Sequence, residues 1–147
     1  MRKVVCLISI VTVLLGSSML AGAKSIGKDK VNVRTGPGLG YSSLFQAPLG
    51  YPVEVESKKG KWLNLRDWEG NKGWVYNTFV SDIKTVVVLV EKANIRCAPS
   101  TAEKCVKRAH KGEIYRILEE RSKWVRIGYY YEGAPVGWIR NDLVFGE

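Results

Sequence analysis

Among the groups that attack, abstract protons or bind metals, the chain holds one histidine, His110, and two cysteines beyond its apolar N-terminal stretch, Cys97 and Cys105. A cysteine peptidase needs a thiol beside an imidazole, and a zinc peptidase needs several His or carboxylate ligands around one ion. His110 stands just before Lys111-Gly112, the address of an exposed loop residue. Paired carboxylates are the remaining route to hydrolysis. The candidates, Glu54 with Glu56 and Glu119 with Glu120, lie among basic residues and read as solvated strand faces. This census predicts no catalytic set, no metal cage and no cofactor, and so a chain that is not an enzyme.

Aromatic and cationic side chains offer binding chemistry instead. Lys61-Trp62 and Lys123-Trp124 occur in equivalent contexts, Trp68 and Tyr129-Tyr130-Tyr131 in two others, and Tyr41 in a glycine-rich stretch. With Leu63 and Leu65 turned to a core, period-two alternation turns Trp62 outward. Trp124 follows the same rule beside Val125 and Ile127. Trp74 and Trp138 share that outer face, where they either wall a groove or are folded over as a second core. Tyr41, Lys61, Trp62, Trp68, Lys123, Trp124 and Tyr129 to Tyr131 are therefore the candidate ligand-binding residues.

Something must hold these residues in place, and the chain specifies it twice. Residues 31–66 match 93–128 at an offset of 62, with Asn32/Asn94, Arg34/Arg96, Pro37/Pro99, Gly50/Gly112, Lys61/Lys123 and Trp62/Trp124 identical. Farther on the offset becomes 64, where Gly73-Trp74 answers Gly137-Trp138 and Asn77 answers Asn141. Such self-similarity marks duplication. Within each copy "VNVR", "ANIR", "WLNL" and "WVRI" alternate, and Gly, Pro, Asn and Ser punctuate them, as in short strands. Strands this short close best into small barrels without open edges.

In the long first loop, Gly36, Gly38 and Gly40 are expected to supply positive φ and Pro37 to fix the turn. Arg34 and Arg96 are expected to tie loop carbonyls with their guanidinium donors. Cys97 and Cys105 flank the second loop, so a disulfide is predicted in an oxidising compartment, worth roughly 2–3 kcal/mol in the chain-entropy model. The unbroken "VVVLV" at 86–90 is buried either against the first barrel or within its own.

The first residues read as a leader: "MRK", an apolar run, then small residues with Ala21 and Ala23 in an A-x-A arrangement. Gly16-Ser17-Ser18 interrupts the run, which favours cleavage after Ala23 over a retained anchor. The organisation expected is a signal peptide at 1–23, one unit at 24–84 and another at 85–147. The formal charge is +9, and the leader removes only Arg2 and Lys3 from it. A basic exported protein favours anionic surfaces; export argues against nucleic acid as its partner.

N-x-R-x-x-P, the alternating strands, the lone Trp, Gly-Trp-Val/Ile and the closing Asn turn together resemble the bacterial SH3-like (SH3b) domain, in the tandem periplasmic form. The resemblance implies an all-β fold of two small SH3-like β-barrels. It also implies a periplasmic or secreted, non-catalytic binding module whose ligand is peptidoglycan or another envelope peptide or protein. The chain lacks the acidic, Tyr-rich start of eukaryotic SH3 domains, so polyproline recognition is not implied. A protein-interaction subunit docking on an envelope enzyme or membrane complex is the alternative; retention on wall material separates the two.

Overall fold

A computed structural model describes residues 23–146. The expected signal peptide lies outside the described residues apart from Ala23, which opens the first strand, so the expected cut falls inside that strand. The first sheet contains β1 (Ala23–Ile26), β2 (Val31–Arg34), β3 (Ser43–Ala47), β4 (Pro52–Lys59), β5 (Trp62–Arg66), β6 (Lys72–Tyr76) and β7 (Val80–Ser81). The second contains β8 (Thr85–Val88), β9 (Lys92–Arg96), β10 (Cys105–His110), β11 (Ile114–Arg121), β12 (Trp124–Gly128), β13 (Pro135–Arg140) and β14 (Val144–Phe145). Their orders, β3-β2-β6-β5-β4-β1-β7 and β10-β9-β13-β12-β11-β8-β14, are one topology repeated. This is the expected all-β, two-unit architecture.

Alternation decides what each unit buries. Val31, Val33, Leu65 and Val75 point into the first core; Ala93, Ile95, Val125, Ile127 and Ile139 point into the second. The long strands β4 and β11 carry register shifts at equivalent places, between Val55 and Ser57 and between Ile117 and Glu119. Each shift bends its strand and strengthens its twist, helping a small sheet curl round its core. Of the second copy's two extra residues, one enlarges the turn after β12. The other is absorbed by the register shift between Ile127 and Gly128.

The first unit has a strand that alternation did not reveal. "KSI" forms β1, antiparallel to β4 and β7. Ser25, polar yet fully buried, donates its hydroxyl to the Ile83 carbonyl at 2.6 Å, which makes a hydrophilic-looking segment a core strand. Its counterpart β8 satisfies both readings of the apolar run as far as Val88, beyond which Leu89 is exposed. Val86 and Val88 enter the second core, while Thr85 sits on the opposite strand face and donates to the Gly50 carbonyl of the first unit at 2.5 Å. Val87, 1% exposed and part of neither core, shares that face. Trp68 meets Phe145 across the same seam with ring centroids 6.4 Å apart.

The long loops repeat bond for bond. Thr35 N–H bonds Ser42 O as Cys97 N–H bonds Lys104 O; Tyr41 N–H bonds Gly38 O as Glu103 N–H bonds Ser100 O. Arg34 Nη1 donates to Tyr41 O at 2.9 Å, and Arg96 Nη1 to the equivalent Glu103 O at 2.8 Å, as expected of a guanidinium closing a loop. The expectation for the glycines needs correction. None of Gly36, Gly38 and Gly40 has positive φ. Gly36 instead makes room: a Cβ there would collide with the Tyr41 ring, whose Cγ would lie 2.6 Å away. In the second copy Glu103 replaces that ring, and Ala98 is tolerated where Gly36 stands.

Candidate functional site

A groove of about 610 Å³ opens on the first unit. Trp62 on β5 lies opposite Tyr76 on β6 in the ladder, and their rings meet edge to face at 5.5 Å. Tyr76 then meets Phe79, in the short 3-10 turn Asn77–Phe79, at 6.4 Å. The result is a continuous aromatic row, positioned by two paired strands and a turn whose Asn77 N–H is anchored on Lys61 O. Asn32, Arg34 and Leu39 complete the lining, with Lys28 to Val31 at one end. The Lys28 ammonium stands 5.7 Å from the centroid of Phe79, a cation–π contact. Asn32 Oδ1 already accepts from Ser43 Oγ and Gln46 Nε2, which leaves its Nδ2 donors for a ligand.

Of the sequence-predicted residues, Trp62 belongs to this groove; Tyr41 and Lys61 do not line it. Tyr41 is half-exposed against the glycines of its loop. Sequence reasoning missed Tyr76 and Phe79. The signal for Tyr76 was present: with Val75 inward, alternation sends it outward. Phe79 has none, because it lies in a turn.

In the second unit Trp124 lies between Arg121 and Arg140 in the ladder, so an arginine replaces the tyrosine of the first unit. Trp138 is 7% exposed, with the Arg121 guanidinium 5.0 Å from its ring centroid; Trp74, opposite Asn64 and Arg34, is half-buried. Lys123 is exposed, and its carbonyl anchors Asn141 N–H as Lys61 anchors Asn77.

The turn aromatics divide. Trp68 packs on Tyr51 at 4.8 Å and faces Phe145, in the seam between the units. Tyr130 lies close enough to Gly50 that a Cβ there would sit 3.1 Å from its ring. Tyr129 and Tyr131 remain exposed at 51% and 69%.

Two polar knots were also unforeseen. Asp67, 5% exposed, accepts from Tyr51 Oη at 2.8 Å, from the Glu69 and Asn71 N–H groups at 2.9 Å each, and from Asn71 Nδ2 at 3.0 Å. Burial first, then this carboxylate, pushes the Tyr51 phenol well above its ordinary range. In the second unit Tyr115 Oη donates to Glu113 at 2.5 Å, and Lys107 Nζ stands 5.6 Å from the Tyr115 ring centroid and 5.4 Å from that of Tyr129. Burial and the Glu113 bond push Tyr115 up to about 12. Burial alone would raise Glu113, but hydrogen bonds from Tyr115 and His110 bring it below the usual range.

The predicted disulfide is not seen in this structure, where Cys97 and Cys105 are unbonded. Cys105 is in register with Arg96, one residue before Cys97, and its Sγ turns to Asn94 Oδ1 and Lys107 O, at 3.5 and 3.3 Å. Cys97 Sγ turns to Glu103 instead, at 3.6 Å. The offset register, not the sequence spacing, sets their directions. No group of three or more metal-ligating side chains gathers among the described residues.

Known proteins match this architecture. The bacterial SH3 domain family matches twice, over residues 29–81 and 90–146. A Bacillus subtilis (strain 168) protein named "Putative N-acetylmuramoyl-L-alanine amidase YrvJ" is 24% identical over 134 residues, covering 84% of this chain and 25% of its own. Similar solved structures include an NlpC/P60 family protein from Bacillus cereus ATCC 10987, 17% identical with a TM-score of 0.41, covering 84% of this chain and 56% of that one. NlpC2 from Trichomonas vaginalis is 19% identical with a TM-score of 0.37, covering 86% and 48%. The chain thus spans a quarter of the curated relative and about half of these structures.

The match to a protein named as an amidase overturns the expectation that this chain stands outside enzymes. Counting nucleophiles and bases tests whether one segment holds a complete catalytic centre. It does not test whether such a segment is part of an enzyme, since substrate binding also contributes to catalysis.

Proposed function

The chain belongs to the bacterial SH3 domain family in both halves, and from that premise we propose that it binds cell-wall polymer in the bacterial envelope through the first unit's groove. One observation carries this reading: the Trp62–Tyr76–Phe79 row lies in an open groove, beside the Lys28 ammonium. Flat apolar faces with a few fixed polar groups are what an orienting pocket needs. The aromatics sit on paired strands and an anchored turn, so ordering them on binding costs little. The Bacillus relative, named "Putative N-acetylmuramoyl-L-alanine amidase YrvJ", supports a wall-directed setting. In that setting a unit like this one holds the polymer where amide hydrolysis occurs. The leader and the basic balance fit a periplasmic or secreted location, with units at 24–84 and 85–147. Tyr129 and Tyr131, the exposed rings of the second unit's longer turn, support the second reading, docking on an envelope protein.

Retention on purified peptidoglycan tests the first reading. Trp62→Ala and Tyr76→Ala are each expected to weaken it by about 1–3 kcal/mol, as hot-spot aromatics do, with both variants still folded. A fall in melting temperature with retention unchanged makes the row structural and removes the proposal. Pull-down of one envelope protein, lost in Tyr129→Ala and Tyr131→Ala, favours docking.

A further inference from the structure

The two copies diverge systematically on the outer sheet face. In the second unit Arg121, Trp124 and Arg140 form one cross-strand row, and Glu119, Arg126, Trp138 and Arg96 form the next. Arg108 stands opposite Asn94 on β10, beside them. Directly opposed residues of an antiparallel pair share a face, so these arginines and tryptophans occupy one surface. At the same registers the first unit has Lys59, Trp62 and Tyr76, then Ser57, Asn64, Trp74 and Arg34, with Gln46 opposite Asn32. The tryptophans recur, but among the arginines Arg96 alone has an arginine counterpart, Arg34, and both serve their loops. The other four arginines are additions of the second copy.

We propose that this face is a second binding site, for a polysaccharide bearing acidic groups. A guanidinium is always charged and presents a planar fork that suits carboxylate or phosphate oxygens. Neighbouring strands are about 4.8 Å apart, so Arg121 and Arg140 flank Trp124 about 10 Å apart, with Arg126 near both. Arg140 beside the Trp124 indole, and Arg121 with its guanidinium over the neighbouring Trp138 ring, suit a sugar ring on Trp124 whose acid groups project to either side. Arg121 and Arg140 rest against Glu119 at 2.6 Å and Asp142 at 2.7 Å. Both pairs are solvent-exposed, and such pairs give way readily to a competing anion. Arg108 and Arg126 have no ion-pair partner among the described residues. A membrane is the poorer occupant: Trp138 is buried and Trp124 half-buried, so neither indole projects for insertion. This surface is separate from the first unit's groove and stands or falls without it.

The test uses fluorescein-labelled oligogalacturonate, a sugar polymer with a carboxylate on each residue, and follows anisotropy. Binding is expected to weaken with added salt, and neutral dextran of equal length is expected not to bind. Replacing Arg121, Arg126 and Arg140 together by Gln is expected to weaken it at least about tenfold. Lys58→Gln/Lys59→Gln/Lys111→Gln, which removes equal charge elsewhere, is expected to change it less than about twofold. Trp124→Ala should lose several-fold. If the triple arginine variant fails its melting control, the exposed single changes Arg108→Gln and Arg140→Gln decide, each expected to weaken binding. Equal loss in the lysine control overturns the site in favour of unspecific charge. Tighter binding of an oligothymidylate or of phosphatidylglycerol vesicles overturns the polysaccharide.

Discussion

Gly36→Ala separates two accounts of the first loop by sign alone. If the glycine served only the chain's flexibility, its non-positive φ would make alanine stabilising by about 0.4–1 kcal/mol, through a less disordered unfolded state. The structure predicts the opposite. The new Cβ falls on the Tyr41 ring, 2.6 Å from Cγ and nearer still to Cδ1 and Cε1, so the ring must swing away. Tyr41 is 49% exposed. A tyrosine buries roughly 150–250 Å² at most. Losing the buried half, about 100 Å², costs at most roughly 2.5 kcal/mol at 25 cal/mol per Å². Partial reburial and the alanine gain reduce this to a net destabilisation of about 1 kcal/mol.

The assay is urea denaturation of four proteins: wild type, Gly36→Ala, Tyr41→Glu and both together. The double variant reproduces the Ala98/Glu103 pair of the second loop, so in the Tyr41→Glu background Gly36→Ala should become neutral or stabilising. Gly40→Ala is the internal control, with nothing within 4 Å of its Cβ and no positive φ, and should stabilise by about 0.4–1 kcal/mol. An equal effect of Gly36→Ala in both backgrounds would refute the steric account, because the cycle isolates the clash between the added methyl group and the Tyr41 ring.

Thr85→Val keeps the β-branched shape but removes the buried bond to Gly50 O, and should destabilise the full chain by about 1–3 kcal/mol by denaturant titration; no change would mean the seam is not held there. Tyr115 has a folded pKa near 12 against an ordinary 10, so its contribution is complete below about pH 10 and is lost as pH rises through 12. Stability measured from pH 8 upward should fall less steeply in Tyr115→Phe than in wild type, and parallel curves would contradict this. A thiol reagent should label Cys97 in the native protein, and Cys97→Ser should shift stability by no more than about 0.5 kcal/mol; a linked Cys97–Cys105 peptide in a non-reduced digest would refute the free-thiol arrangement.

Repetition made the fold legible and hid part of the site, for one physical reason. Positions alike in both copies answer demands both copies share: Val33 and Ile95 fill cores, Arg34 and Arg96 close loops, and Asn77 and Asn141 anchor a turn on the preceding Lys-Trp strand. Those residues therefore announce the barrel, and alternation supplies the rest of it. It fails where a polar side chain is satisfied inside, as Ser25 is by Ile83 O, where an outward ring is covered, as Trp138 is, or where a register places two residues differently from their spacing, as with Cys97 and Cys105. Binding chemistry follows the reverse rule. A duplicated unit that recognised the same ligand twice would keep its contact residues, yet the groove's Tyr76 and Phe79 become Arg140 and Leu143. On the same outer face Gln46, Lys59 and Asn64 become Arg108, Arg121 and Arg126. The exchanges at Gln46, Lys59, Asn64 and Tyr76 leave strand pairing intact, because each lies on an outward strand position where the core exerts no preference, whereas Phe79 and Leu143 lie in the turn and both pack against their cores. Within one chain, the places where two copies of a fold disagree without disturbing it are where different ligands can be read.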